Sequence, residues 1–204
     1  KELGQKVDRD IAAFLDDLSF AYREAAYVYR RCLSTTRRPT HVKNPYFVLI
    51  HIADPHLYCV PSLHVLIVCL TFLRVREILA RHGCADRYTD KLVELYEDAV
   101  RITETIIFIR QHSLNCISAG LYMVSTLVPR FGREDAKEFI ARLFAEYPEV
   151  RRVDDIHAYI LSLYDEFIAS RDAHPERDYR DVLLDFLFTY DTRKNSIEVS
   201  AAPL

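Results

Sequence analysis

Apolar residues recur at helical spacing along almost the whole of this chain, and that periodicity restricts its fold more than any other feature. From Val7 to Arg31 the series Val7, Ile11, Phe14, Leu18, Tyr22 and Ala25 advances by four, three, four, four and three, which draws one stripe along an α-helix. Breakers are scarce, with 4 glycines and 8 prolines in 204 residues, too few for a turn-rich all-β architecture. A composition of 50% hydrophobic and 28% charged residues excludes a disordered chain. The expected class is all-α, a single-domain helical bundle over residues 1–194, with 195–204 as a mobile tail.

The periodic segments give the order of elements. The first helix ends before Ser34-Thr35-Thr36 and Pro39, because proline removes a backbone donor and pushes its predecessor out of the α region. A loop rich in Pro, His and Asn follows over roughly Leu33 to Pro61, with a short apolar piece, Tyr46 to Ile50, able to form a helical turn. Ordered connections of that length usually carry function. Pro61-Ser62 opens a second helix to about Arg81, closed by His82-Gly83. A third is expected from Thr89-Asp90 to about Arg110 and an apolar one from His112 to Leu127, broken by Pro129 and Gly132. Three shorter amphipathic helices follow, Glu134 to Tyr147, Val153 to Ser170 and Tyr179 to Tyr190. The last is apolar enough on both faces to pack on the core or on a second subunit of a homo-oligomer.

Charge and cysteine usage narrow the partners. A formal charge of −3 leaves no basic field to hold a polyanion, so nucleic acid is not an expected partner. Leu57 to Leu73 and Gln111 to Pro129 carry no formal charge over 17 and 19 residues, yet Pro61, Ser62, His64, His112 and Asn115 interrupt them. Buried core helices fit better than transmembrane spans, and a membrane-surface contact stays open. The five cysteines, Cys32, Cys59, Cys69, Cys84 and Cys116, show no Cys-x-x-Cys spacing and read as reduced, mostly buried thiols of a reducing compartment. The chain opens at Lys1 without a charged-then-apolar leader.

Three clusters carry residues of chemical interest. Arg31 is followed after six positions by Arg38-Pro39, basic residues that would ordinarily just meet a helix C-terminal dipole. Pro61-Ser62-Leu63-His64 opens a helix, where capping chemistry also points free backbone N–H groups at one spot that suits an anion. Arg110-Gln111-His112 begins the apolar helix, where a titratable group needs a partner.

Together, in this order and spacing, the clusters resemble the type 2 phosphatidic acid phosphatase and vanadium haloperoxidase superfamily, whose members are helical. The resemblance runs from Arg31 to Gly120: basic-x6-Arg-Pro, then Pro-Ser-x-His after 21 residues, then a histidine 48 positions beyond His64 and an Ala119-Gly120 pair. It implies a phosphatase-like hydrolase acting on a phosphomonoester, with no metal or other cofactor. Arg31 and Arg38 would hold phosphate oxygens, and Ser62 and the Leu63 N–H would add donors. His64 would serve as general acid and His112 as the nucleophile that becomes phosphohistidine. Leu63 stands where many members have glycine. With Tyr46, Phe47, Tyr58 and Leu63 beside the pocket, the substrate could carry an apolar, lipid-like part.

The third motif departs from the family pattern. Thr105-Ile106 replaces Ser-Arg, so a phosphate-binding arginine is lost, and Cys116 replaces the aspartate that would orient the nucleophilic imidazole. Each loss is worth about two powers of ten in rate if nothing substitutes. Arg110 falls on a different helix face from residue 106, whereas Asn115 or Ser113 could accept weakly from the imidazole. The alternative reading is a divergent relative that binds a phosphate-bearing ligand, or transfers a phospho-group, without hydrolysis. A metal site built from His51, His56, Cys59 and His64 matches no closed structural pattern. The pairs Asp16-Asp17 and Asp154-Asp155 read as solvated helix faces.

Overall fold

The computed structural model describes residues 7–36, 45–53 and 57–190, with the backbone alone at 47, 50 and 51. They form α1 (Asp8–Tyr29), α2 (Pro45–Ala53), α3 (Leu63–Arg81), α4 (Thr89–Phe108), α5 (Leu114–Leu127), α6 (Arg133–Arg142), α7 (Val153–Ala173) and α8 (Asp181–Thr189), with a short 3-10 turn at Asp86–Tyr88. No strand occurs among the described residues, and the class is all-α.

The centre of the bundle is α5, packed between α3 and α7, while α4 and α1 flank α3, and α8 closes against α7 and α1. Leu114 and every residue from Cys116 to Val124 are buried, which is why this stretch carries no charge: it faces protein on all sides. Burying a Leu, Ile or Met side chain stabilises by about 1.5–3 kcal/mol, so α5 is the main apolar contribution to the core. None of the helices among the described residues is long and apolar enough to cross a membrane.

The helix ends follow local chemistry. Ser62 caps α3, its hydroxyl accepting from the Val65 N–H at 3.4 Å. At the other end Gly83, at φ +65°, donates to the Ala80 carbonyl while Cys84 N–H donates to Leu79, the two-bond closure that a glycine past the helix end was expected to make. Gly132 N–H donates to Asp135 at 2.9 Å at the start of α6.

Several boundaries differ from the expectation. The helix expected from His112 begins at Leu114, because Arg110 takes a left-handed conformation (φ +54°) and turns the chain first. The helix expected to reach Tyr147 stops at Arg142, where Leu143 is extended and Phe144 is left-handed (φ +63°), its N–H donating to the buried Glu104 carboxylate at 2.5 Å. On α1 the buried positions are Ala21, Glu24, Ala25 and Val28, while Ile11 and Tyr22 are exposed, so the inward stripe is rotated from the expected one. The apolar piece Tyr46 to Ile50, expected to be able to form a helical turn, does lie in a helix, α2, whose Tyr46 and Ile52 are 75% and 78% exposed. The last helix packs on the core through Val182, Leu183 and Leu184.

Candidate functional site

Three segments meet at one end of the bundle: 34–36 after α1, 57–62 before α3, and 110–113 between α4 and α5. Ser34 N–H donates to the Leu57 carbonyl at 3.2 Å, Cys59 N–H to Ser34 at 3.3 Å, and Val60 N–H to the Ser34 hydroxyl at 2.8 Å. Thr36 hydroxyl donates to the carbonyl of Arg110 at 3.0 Å, and Tyr29 hydroxyl donates to that of Pro61 at 2.6 Å. Ser62 N–H reaches the Cys116 carbonyl at 3.1 Å. At Gly120 a Cβ would lie 2.9 Å from Val65 Cβ and 3.2 Å from the Ser62 carbonyl, so α5 and the start of α3 approach this closely only because that residue has no side chain.

This scaffold brings together the two histidines that lie 48 positions apart. His64, exposed in the first turn of α3, and His112, buried just before α5, meet with Nδ1 of His64 at 3.1 Å from Nε2 of His112, the rings edge to face. Nδ1 of His112 lies 3.1 Å from the Cys59 carbonyl. A carbonyl only accepts, so His112 Nδ1 carries a proton, and in the neutral ring Nε2 presents its lone pair to His64 Nδ1–H. The backbone N–H of His112 is fixed on the Ile106 carbonyl at 3.0 Å.

The Cys59 carbonyl thus fixes the imidazole tautomer, as an aspartate at 116 would. Neither residue considered for that role takes it: Asn115 accepts from Tyr159 hydroxyl at 2.6 Å, and Ser113 is bonded to Cys116, whose sulfur lies 3.2 Å from its hydroxyl. Burial pushes the Cys116 thiol up to about 12, so it stays neutral and supplies no charge. A backbone carbonyl has no signature in a sequence, which is why this partner was not foreseen. Thr36 and Tyr29, which tie the segments together, were missed for a related reason: their bonds go to backbone atoms of distant segments.

The other expected site residues are placed as follows. Ser62 is fully buried with its hydroxyl used as the helix cap, so donors toward an anion would be first-turn N–H groups, that of Leu63 among them. Arg31 donates to the Tyr27 carbonyl at 3.1 Å and lies 3.5 Å over the Tyr27 ring, with Arg180 on that ring at 3.8 Å. These contacts direct it toward α8. Arg38, His41 and His56 lie outside the described residues, as do the side chains of Phe47 and His51. Ile106 is buried, and Arg110 is exposed. Tyr58 is half-exposed, its ring 5.3 Å from Tyr29, and Leu63 is half-buried.

Among the described residues no group of three or more potential metal ligands comes together; the Cys59 thiol faces the Gln111 carbonyl at 3.7 Å. None of the five cysteines forms a disulfide, and Cys59, Cys69 and Cys116 are buried. Asp16, Asp154 and Asp155 are exposed, as solvated faces require, and Asp17 pairs with Arg74. Comparisons with family models, with curated proteins and with solved structures found no match to this chain.

Proposed function

We propose that this chain is a phosphatase-like hydrolase of phosphomonoesters that works through a phosphohistidine on His112. The observation that carries the reading is the His64–His112 contact, with His112 Nδ1 held on the Cys59 carbonyl, at the N-terminus of a 19-residue helix. A nucleophile needs a lone pair in a fixed direction and a neighbouring group that can move a proton, and this pair has both.

The contact leaves no space for a phosphorus atom between the two nitrogens. His112 is buried and anchored, whereas His64 is exposed, so His64 is the ring that yields as the phosphoryl group enters. Nε2 of His112 then forms the N–P bond as the ester P–O bond breaks, and His64, entering the step as the imidazolium, delivers a proton to the leaving oxygen and is left neutral. Water, losing a proton to His64, attacks phosphorus in the second step and the N–P bond breaks. First-turn N–H groups of α3 favour the phosphoryl oxygens electrostatically. The exposed apolar residues of the segment that carries the Cys59 carbonyl, Leu57 and Tyr58, suit a substrate with an apolar part.

A second reading is a relative that binds a phosphate-bearing ligand without turning it over. Specific observations favour it: Ile106 is buried where an arginine clamp would stand, Cys116 is neutral, and Arg31 is stacked on Tyr27. Hydrolysis of an aryl phosphate by the purified protein, with and without vanadate, separates the two. The phosphohistidine reading predicts vanadate-sensitive turnover lost in both His112→Ala and His64→Ala. Vanadate binding without turnover supports the second reading, and hydrolysis unchanged in His112→Ala overturns the first.

A further inference from the structure

A cavity of about 380 Å³ lies between α3, the Asp86–Tyr88 turn, α4 and α6. It holds on the order of a dozen water volumes, within the range of pockets that enclose small organic ligands. Cys69, the lining residue of α3 nearest the pair, is five residues beyond His64, about 7.5 Å along the axis, and neither histidine lines the cavity, so it is separate from the histidine pair.

Its walls are apolar, formed by Phe72, Leu73, Leu92, Val93, Phe131 and Phe139, with Cys69 and Ala99 also lining it. The Tyr96 ring bridges two of those walls, 5.1 Å from Phe72 and 6.1 Å from Phe139. Its hydroxyl is buried and has no hydrogen-bond partner among the described residues. Leaving such a group unsatisfied costs about 1–3 kcal/mol, which a ligand oxygen recovers once the ring turns the hydroxyl from its buried position toward the cavity. Burial pushes this phenol up to about 12, so at neutral pH it is an intact O–H donor.

The charged residues lining the cavity indicate what can enter. Asp86, Glu97, Asp135 and Glu138 stand against one guanidinium, Arg76, which lies 5.2 Å over Phe72. Glu97 is paired bidentately with Arg142, whereas Asp135 accepts only from the neutral Gly132 N–H and keeps its charge, which leaves Asp86, Asp135 and Glu138 opposite Arg76 and the balance negative. A carboxylate or phosphate ligand is disfavoured there and a cation is favoured.

We propose that this cavity binds a cationic amphiphile: an amine whose aromatic or short aliphatic body fills the Phe72–Phe139 pocket, whose ammonium sits among the lining carboxylates, and whose ether or hydroxyl oxygen accepts from Tyr96. The probe is 4-phenoxybutylamine, titrated calorimetrically into the intact chain beside its carboxylate counterpart, 4-phenoxybutyrate, and the ether-free 5-phenylpentylamine.

Saturable one-to-one binding of the phenoxy amine is expected, with the carboxylate weaker by about tenfold or more, the effect of one reversed charge contact. Tyr96→Phe should weaken the phenoxy amine severalfold and leave 5-phenylpentylamine unchanged. Val93→Trp, at an exposed wall position, and Ala99→Phe, at a buried one, should block both amines in protein whose circular dichroism and melting remain native; the exposed site keeps the test valid if the buried one fails to fold. The proposal is overturned if the folded chain shows no saturable binding of the phenoxy amine or prefers the carboxylate. Undiminished binding in a folded cavity-filling variant, or equal losses of both amines in Tyr96→Phe, overturns it as well.

Discussion

Main-chain groups hold His112 at two points: its N–H on the Ile106 carbonyl and its Nδ1 on the Cys59 carbonyl. Substitutions to the arginine and aspartate that the resemblance implies at 106 and 116 therefore should not give a better site. Ile106 is in the core, and an arginine there would be an unpaired buried charge; Ile106→Arg is expected to destabilise by about 3–5 kcal/mol in urea unfolding. His64 is exposed, and His64→Ala should leave the unfolding midpoint within about 0.5 kcal/mol of wild type while abolishing any aryl phosphatase activity. That pair of results would separate a chemical role for His64 from a structural one. Arg31, which the resemblance implies as a phosphate ligand, stacks on the Tyr27 ring. With Arg180 it sandwiches Tyr27, whose hydroxyl donates to Asp181 at 3.1 Å, so it joins α1 to α8.

Between elements, the site depends on how closely α5 lies on α3. Gly120 is the contact point, and Gly120→Ala should cost about 1–3 kcal/mol by overpacking against Val65 and Ser62, and should separate the two histidines, a change readable in their imidazole NMR signals. The α4–α6 junction gives a pH-dependent test. Burial raises the Glu104 carboxyl above its ordinary value even though it accepts from Phe144 N–H, so the folded protein holds that proton more tightly than the unfolded chain. The wild type therefore loses stability as pH rises from the ordinary glutamate range toward the raised folded value. Glu104→Gln keeps the acceptor and removes the titration. Its melting temperature should match wild type near pH 4 and exceed it at pH 7; a variant less stable than wild type at pH 7 would contradict this account. The expected helices were legible because periodicity and breakers such as Gly83 act locally. The late start of α5 and the early end of α6 were not, because non-glycine left-handed residues, Arg110 and Phe144, make those turns and only tertiary bonds hold them.

For the whole molecule, the charge-free run from Gln111 to Pro129 is explained by position: α5 is the core helix around which α3 and α7 pack. That much, and the juxtaposition of motifs far apart in the chain, follows from the sequence order, since His64 and His112 each sit at the start of one of two adjoining helices. The Cys59 carbonyl, the Gly120 contact and the Phe72–Phe139 cavity are products of packing, and no local pattern announces them. The phosphohistidine reading joins the two levels: the proposed nucleophile comes from the order of the motifs, and the carbonyl on which its ring is held comes from the fold. The most direct measurement is to quench the protein during turnover of an aryl phosphate and locate the covalent phosphoryl group by mass spectrometry. The account predicts an acid-labile phosphoramidate on His112, absent from His112→Ala and accumulating on neither His64 nor a cysteine. Turnover with no phosphoryl group on His112, or with one on another residue, would contradict it.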